Sequence, residues 1–451
     1  MTETLQRWHS PAGHTRRAPV SRPGAAASPA PLVAAAGLTT ARLTTTRGAA
    51  LYIGALLGPG LLLLPGLAAA EAGPASVLAW AGLLVLSGLF AVVFGSLGRG
   101  FPSAGGVIGY VRAGLGQRAS VITGWSFLAG VVAGAPVVCL IGAGYVTELT
   151  GGGRLTRALI ATLLLAAVIA LAAGGLRSSA TAQLLLVGLL LGVVVVAVVG
   201  SAGSSHAANW TPFAPHGWGA VGHAASTLML SFVGWEAVAP LTNRFPDPGR
   251  QLPRVIGIAL AVTSVLYLGL AIATVSVLGS GAGISAPLAA LLRDAAGPAG
   301  TVAAAVAAVV LTLGAVNAYV TGAAEMAVEL TRPADTSAAT GPVTRPAPRF
   351  LAVIAVFGLA LIALYGLGLA SPAALVAIPT TLFLAVYLGC MTSAVRILRG
   401  PARLAAVPAT VIVAVVLGYC GLALLAPLAV IAAVGAARPV AAAVRAARKA
   451  H

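Results

Sequence analysis

The stretch "YIGALLGPGLLLLPGLAAAEAGP", residues 52–74, is apolar enough to enter a lipid bilayer but contains helix breakers in its middle. Gly58, Pro59 and Gly60 lie together, and Pro65 follows. A proline inside a helix removes a hydrogen bond and costs about 3 kcal/mol. Irregular backbone is tolerated at membrane depth only where protein buries it or where it lines a cavity. The stretch therefore predicts an interrupted membrane helix beside a central cavity.

The composition of the whole chain is that of an integral membrane protein. Of its 451 residues, 59% are hydrophobic and only 8% are charged, which is too little polar surface for a soluble domain of this size. A run of about 20 apolar residues spans the bilayer core as a helix. The sequence predicts an all-α membrane protein with about 12 transmembrane helices. The apolar runs lie near 48–72, 74–98, 119–147, 155–175, 178–200, 219–242, 253–279, 299–330, 350–369, 372–396, 404–420 and 421–437.

The basic residues indicate membrane topology and not nucleic-acid binding. The net charge is +17, but the arginines are spaced between apolar runs and are not gathered on one face, so we expect no nucleic-acid partner. Basic residues are enriched in cytoplasmic loops. With a cytoplasmic N-terminus, only Arg154, Arg157 and Arg293 of the 26 basic residues lie outside. We therefore predict a multi-pass protein of the cytoplasmic membrane with both termini in the cytoplasm.

A second apolar run is interrupted in the same way. The stretch "STLMLSFVGWEAVAPL", residues 226–241, places Gly234, Glu236 and Pro240 inside the sixth run. The first and sixth runs occupy corresponding positions in two five-helix halves, and such a pair of interrupted segments points to the midplane site of a transporter. The alternative is an ordinary proline kink in each helix, with no functional site between them.

Broken helices expose backbone groups that suit a zwitterion. Free N–H groups at a half-helix N-terminus attract a carboxylate, and free carbonyls at the opposing C-terminus attract an ammonium group. A neutral amino acid carries both charges. Recognition of this kind requires no charged side chain, in agreement with the scarcity of charges in the apolar runs. We expect a small-molecule substrate of this class, and no cofactor or metal.

Three stretches resemble permeases of the amino acid–polyamine–organocation (APC) superfamily. They are "GALLGPGLLLLPGLAAAEAGP" (54–74), "RGFPSAGGVIGYVRAGLGQ" (99–117) and "SFVGWEAVAPLTNRFPDPGRQLPR" (231–254). Within the superfamily, the chain resembles the exporters of methionine and branched-chain amino acids, over about residues 48–400. The resemblance implies a LeuT-like fold, in which two inverted five-helix repeats with discontinuous helices 1 and 6 are followed by two extra helices. It also implies secondary transport by alternating access.

The domain organisation follows from these expectations. Residues 1–47 are basic and rich in Ala, Pro, Ser and Thr, a composition that predicts a disordered cytoplasmic tail. The first repeat is expected over 48–200 and the second over 219–396. Two additional transmembrane helices follow at 404–437, and the basic cytoplasmic tail is expected at 438–451.

The resemblance implies roles for residues at the matching positions. Gly58 and Gly60 would receive the substrate carboxylate, with Pro59 between them where relatives often have a more flexible residue. Phe232, Gly234 and Glu236 would belong to the unwound sixth helix, with Glu236 as the proton-sensing acid. A cytoplasmic gate loop would contain Phe101, Pro102, Ser103, Gly105 and Gly106. Some sodium-independent relatives have a lysine in the fifth helix, but residues 178–200 contain none.

Several candidates have a functional and a structural interpretation. Glu236 is an ionisable group at bilayer depth, which usually marks function, but it could instead be a structural carboxylate that accepts nearby hydrogen bonds. Trp235 and Phe232 could form an aromatic lid over the substrate, or they could be packing residues. Asn317 and Tyr319 lie midway along the eighth run and could line the pocket, although an isolated Asn often bonds between helices.

The sequence favours a carrier over other membrane proteins. The predicted function is export or exchange of small hydrophobic amino acids, with or without coupling to protons, and the alternative is a proton-coupled uptake permease. A membrane-embedded enzyme is disfavoured because the chain has no H-E-x-x-H or G-x-S-x-G motif. A channel would require a filter motif, which is not evident. The phosphate-binding motif G-x-x-x-x-G-K-[ST] is also absent, so the energy source is an ion gradient or substrate exchange.

Overall fold

A computed structural model of the chain describes residues 43–101, 106–175, 180–237, 245–284, 286–331 and 345–436. All secondary structure in these ranges is helical. Eight of the helices within them are long and apolar enough to cross a membrane, and two shorter apolar helices are Leu184–Gly200 and Gly421–Ala436. The predicted all-α membrane architecture is confirmed.

The described part of the first half of the chain contains six helices, with an interruption after the first. The helices are α1 (Thr45–Leu56), α2 (Leu64–Ala72), α3 (Ser76–Gly100), α4 (Val107–Thr150), α5 (Arg154–Ala173) and α6 (Ala180–Gly200). The second half of the chain and the region of the two predicted additional helices follow after a loop. Their helices are α7 (Gly219–Leu228), α8 (Pro248–Ala273), α9 (Pro287–Thr331), α10 (Pro348–Gly366), α11 (Pro372–Ile397) and α12 (Pro401–Gly418).

Both predicted helix interruptions are present. Between α1 and α2, the chain is extended at Gly58 (φ −84°, ψ 165°) and then forms a short 3-10 helix at Pro59–Leu62. After α7, a 3-10 helix at Met229–Phe232 ends in extended backbone at Val233. Gly234 follows with φ +141°. Pro240, which was expected to contribute to the second interruption, lies outside the described residues.

The first helix begins earlier than the sequence predicts. The Thr44 hydroxyl accepts a hydrogen bond from the Arg47 backbone N–H at 3.3 Å and caps α1. Helix α1 therefore starts at Thr45, inside the segment predicted as a tail over 1–47, and Leu43 is already buried. The remaining predicted tail residues, 1–42 and 438–451, lie outside the described residues.

Two helices are longer than their apolar runs because each continues through a glycine kink. Helix α4 bends at Gly116 (φ +85°), and the predicted run 119–147 covers only the part after it. Helix α9 bends at Gly297 (φ +61°), and the run 299–330 again lies after the kink. Glycine readily adopts positive φ angles, so Gly116 and Gly297 allow the chain to turn sharply. The helix then continues on the other side of each kink.

The packing of the helices brings both interruptions to the centre of the molecule. Helix α4 packs against α11, α9, α5 and α10. Helix α1 packs against α8, and α2 packs against α7. The two interrupted segments also contact each other. A central space therefore lies where the first interruption, the second interruption, α4, α9 and α11 meet.

Candidate functional site

A cavity occupies this central space. It contains about 570 Å³ of empty volume, including the part open to its surroundings. Its lining is almost entirely apolar. The lining residues are Gly58, Gly60, Gly130, Val131, Gly134, Ala135, Val138, Leu230, Val233, Ala315, Val316, Tyr319 and Phe383.

The first interruption presents main chain to the cavity. A Cβ atom placed on Gly58 would have no atom within 4 Å, so one side of this residue is open space. Gly60 is more crowded, because a Cβ there would lie 3.0 Å from Leu64 Cδ1 and 3.2 Å from Ser231 Oγ. The Ser231 hydroxyl is buried, and it has no hydrogen-bond partner in the described part of the chain. The backbone of Gly58 and Gly60 and the hydroxyl of Ser231 thus lie together at the first interruption.

Two tyrosines from distant helices bind carbonyls at the interruptions. The Tyr267 hydroxyl in α8 lies 2.7 Å from the Leu56 carbonyl oxygen and 2.8 Å from the Ser231 carbonyl oxygen. A hydroxyl has one proton to donate, so the two carbonyls share it. The Tyr145 hydroxyl in α4 donates to the Leu62 carbonyl. These bonds satisfy carbonyls that the interruptions remove from helical pairing.

The second interruption is closed by side chains of the protein itself. The Gly234 N–H donates to Glu236 Oε2 at 2.9 Å and to the Tyr387 hydroxyl oxygen at 3.0 Å. The Trp235 N–H donates to the same hydroxyl oxygen at 3.1 Å. The Tyr387 hydroxyl in turn donates to Glu236 Oε2. The N–H groups that could have received a substrate carboxylate at this interruption therefore already have partners.

Gly234 also lies very close to the main chain of the first interrupted segment. A Cβ atom on Gly234 would lie 2.1 Å from the Ala55 carbonyl oxygen, and its φ is +141°. Only glycine fits this position, since a side chain would collide with main chain and the backbone angle disfavours other residues. The close approach places the two interruptions side by side.

Glu236 lies beside the cavity but is not among the described residues that line it. The residue is 4% exposed. Its Oε2 accepts the bonds described above, and its Oε1 has no hydrogen-bond partner within the described ranges. A buried carboxyl with one unbonded oxygen has a place for a proton or for an incoming donor. The geometry is compatible with both the proton-sensing and the structural interpretation.

The aromatic residues at the second interruption have partners in other helices. Trp235 is fully buried, and its ring N–H donates to the Ser87 hydroxyl at 2.7 Å. Phe232 packs edge-on against Tyr267, with ring centroids 5.3 Å apart. Neither residue is part of the cavity lining in the described chain. The aromatic lid over a substrate stays a prediction.

The remaining predicted residues are placed as follows. Asn317 is buried in α9 next to Val316, but it is not among the described lining residues, whereas Tyr319 is. Of the predicted gate loop, Phe101 ends α3 and Gly106 precedes α4 with φ +71°. Pro102, Ser103 and Gly105 lie outside the described residues.

Several residues that shape the site were not predicted as site residues. Phe383 lines the cavity from α11, and Tyr387 and Tyr267 bind the interrupted segments. Each lies in an apolar run without a local motif to identify it. Gly130 and Gly134 line the cavity from α4. They form a small-xxx-small pair, a sequence pattern that indicates close helix packing.

A family model and a related protein each match most of the chain. A family model described as "Amino acid permease" matches residues 43–444. The uncharacterized amino acid permease YecA of Bacillus subtilis is 34% identical over 374 residues, which cover 81% of this chain and 88% of that protein. The L-methionine/branched-chain amino acid exporter YjeH of Escherichia coli is 35% identical over 205 residues, covering 45% of this chain and 48% of its own length.

The fold is similar to that of a solved transporter. The crystal structure of MhsT in complex with L-phenylalanine superposes with a TM-score of 0.61, covering 87% of this chain and 99% of that chain. The sequence identity is 16%, so this similarity concerns the fold alone. MhsT has a LeuT-like fold, and the expectation of that fold is confirmed.

Proposed function

The chain belongs to the amino acid permease family, and we propose that it carries small hydrophobic neutral amino acids across the cytoplasmic membrane, by export or exchange. Its relatives are transporters and not enzymes, and the chain is a multi-pass membrane protein. The observation that carries the proposal is the central cavity, in which the glycine edges of the first interruption face apolar walls.

The chemistry of the cavity supports a neutral, apolar substrate. No charged side chain is found among the described lining residues, and Tyr319 supplies the one hydroxyl of that lining. A substrate with a net charge would be buried without a counter-charge, which is costly. The backbone at Gly58 and Gly60 can hold the charged head of a zwitterion, while the valine and alanine side chains surround its apolar part.

One relative agrees with this class of substrate. YjeH is named as an exporter of L-methionine and branched-chain amino acids. Transfer of its substrates to this chain is part of the proposal. The lining residues favour aliphatic side chains, as in the substrates of YjeH.

Glu236 is the residue proposed for coupling to protons. It is buried beside the second interruption, and its carboxyl binds the Gly234 N–H and the Tyr387 hydroxyl. A change in its protonation would alter these bonds and hence the local backbone. Buried ionisable groups in membrane proteins commonly mark such coupling. The alternative function, proton-coupled uptake, uses the same site with the gradients reversed.

The proposed orientation places both termini in the cytoplasm. The basic residues outside the membrane-spanning runs support it. Arg293, which is expected outside, forms an ion pair at 3.1 Å with Glu148 near the end of α4. This pair brings the end of α4 and the start of α9 to the same side of the molecule, as the proposed orientation requires.

Counterflow in proteoliposomes tests the proposed function. The full-length protein is reconstituted in vesicles loaded with unlabelled L-leucine, and uptake of labelled L-leucine is followed with and without an imposed pH gradient. We expect transient accumulation that saturates and is absent from protein-free vesicles. A current that does not saturate would indicate a channel instead. Absence of counterflow for every neutral amino acid in a panel would refute the proposal.

A further inference from the structure

The wall of the cavity between α4 and α11 is formed by an aromatic ring seated on a glycine. The ring of Phe383 lies against Gly130, because a Cβ atom on Gly130 would be 3.2–3.3 Å from three of its ring atoms. Such a separation is shorter than ordinary van der Waals contact. The ring therefore occupies the space that a side chain at residue 130 would take.

The position of this ring is fixed from other sides as well. Phe127, one helical turn before Gly130 in α4, packs edge-on against Phe383 with ring centroids 5.6 Å apart and an interplanar angle of 82°. Pro379, one turn before Phe383, would lie 3.6 Å from a Cβ atom on Gly134. The ring of Phe383 is therefore held between Gly130 and Phe127, and moving it would displace packed neighbours. Well-packed interiors resist such displacement.

We propose that Phe383, seated on Gly130, limits the length of the substrate side chain and so restricts transport to aliphatic amino acids. This inference rests on the proposed function, because it assigns the substrate side chain to the apolar part of the same cavity. Both Gly130 and Phe383 line that cavity, together with Val131 and Val316. A fixed wall accepts a side chain that fills the space and rejects one that reaches into the ring.

The size of the expected discrimination follows from the chemistry of apolar pockets. One extra or missing methylene in such a pocket changes selectivity by about 10- to 200-fold. An aromatic ring is larger than an aliphatic side chain by several atoms, and it would overlap the ring of Phe383. We therefore expect L-leucine and L-methionine to bind at least about tenfold more tightly than L-phenylalanine.

The structure offers substitutions that change the wall in opposite directions. Phe383→Leu removes part of the ring and lengthens the cavity. Gly134→Ala adds a methyl group to the same lining, and it is tolerated because the nearest atom, in Pro379, lies at the ordinary contact distance of 3.6 Å. Phe357→Leu in α10 is the matched control, because Phe357 is exposed and is not among the described lining residues.

The experiment measures the ratio of the dissociation constants of L-phenylalanine and L-leucine with the full-length protein. We expect Phe383→Leu to lower this ratio about tenfold and Phe357→Leu to leave it unchanged. We expect Gly134→Ala to weaken L-leucine more than L-alanine. The inference is overturned if wild-type protein binds L-phenylalanine as tightly as L-leucine, or if Phe383→Leu and Gly134→Ala both keep the wild-type selectivity.

The same measurement separates this inference from the proposed function. Wild-type protein that binds no neutral amino acid contradicts the proposed function, and the inference with it. Wild-type protein that binds and exchanges L-leucine, but whose selectivity is unaffected by the wall variants, contradicts the inference alone. If Phe383→Leu does not fold, Gly134→Ala still tests the wall, because it adds one methyl group in ordinary contact.

Discussion

At the first interruption Gly58 faces open space in the cavity, whereas at the second interruption Gly234 lies against the main chain of Ala55. Both segments are broken helices, and both expose backbone groups that a continuous helix would satisfy internally. The first presents its glycine edge to the cavity. The second has its N–H groups bound by Glu236 and Tyr387. Similar helix breakers therefore produce a binding surface in one segment and an internally bonded junction in the other.

This difference assigns different tasks to the two segments. The first interruption is available to a ligand because protein atoms leave one side of it empty. The second is bonded to two further helices, to α3 through Ser87 and to α11 through Tyr387. The residues of the second interruption that line the cavity in the described chain are Leu230 and Val233. Substitutions at the two interruptions should accordingly alter different measured properties.

The largest effect is expected from Gly234→Ala. The added methyl group would lie 2.1 Å from the Ala55 carbonyl oxygen, and the φ of +141° adds backbone strain of about 1–3 kcal/mol. We expect loss of folded protein and of counterflow, measured by thermal unfolding in detergent and by transport. The control is Gly257→Ala in α8, where a Cβ meets no atom within 4 Å. A folded, active Gly234→Ala protein would show that the two segments do not pack as described.

Glu236→Gln should remove coupling without removing binding. The amide oxygen can still accept the Gly234 N–H, but the side chain can no longer take up and release a proton. We expect flux driven by a pH gradient to fall to the level of protein-free vesicles, while exchange of labelled for unlabelled substrate continues. Glu71→Gln is the control, since Glu71 is a second carboxyl in an apolar helix and binds Thr227 at 2.9 Å. Unchanged gradient-driven flux in the Glu236→Gln protein would rule out proton coupling by Glu236 and would favour the structural interpretation.

Gly58→Ala tests the open interruption. Its backbone angles suit alanine, and a Cβ there meets no atom within 4 Å, so stability should be unchanged. Because Gly58 lines the cavity, the added methyl group would take up space there. We therefore expect the affinity for L-leucine to fall about tenfold. Equilibrium binding measures the effect, with Gly82→Ala in α3 as a control that also has empty space around it. Wild-type affinity would mean that the substrate does not approach Gly58.

Ser87→Ala should have the smallest effect on transport. It leaves the buried Trp235 ring N–H without its partner, which costs about 1–3 kcal/mol of unfolding free energy. Substrate affinity should not change, because this bond holds the second interruption on the side away from the cavity. Ser96→Ala in the same helix is the control, since that hydroxyl binds only the Val92 carbonyl of its own helix. An altered affinity in Ser87→Ala would indicate that the second interruption binds substrate directly.

The sequence located both interruptions but not the way they are used. Gly58, Pro59 and Gly60 predict the first break, and Gly234 predicts the second, because breakers act on their own backbone. The tyrosine that occupies the second break, Tyr387, lies 153 residues from Gly234 along the chain. No local pattern could indicate that a residue so far away would take the N–H groups expected to bind substrate.

The aromatic residues illustrate the same limit. Trp235 and Phe232 are next to the break in sequence, which made them candidates for a lid; in the structure they pack with Ser87 and Tyr267 and are not among the described lining residues. Phe383 was not a candidate, although it forms a wall of the cavity. Proximity in sequence does not determine which side of a broken helix a ring will face. That depends on the neighbouring helices.

The sequence by itself determined the all-helical membrane architecture and the position of the two breaks, because hydrophobicity and chain breaking are local properties of the residues concerned. The tertiary structure decided that the break at Gly58 opens to a cavity and that the break at Gly234 is filled. That decision required side chains from α3, α8 and α11, and their positions follow from helix packing. A backbone group becomes a binding site only where no part of the folded protein has already bound it.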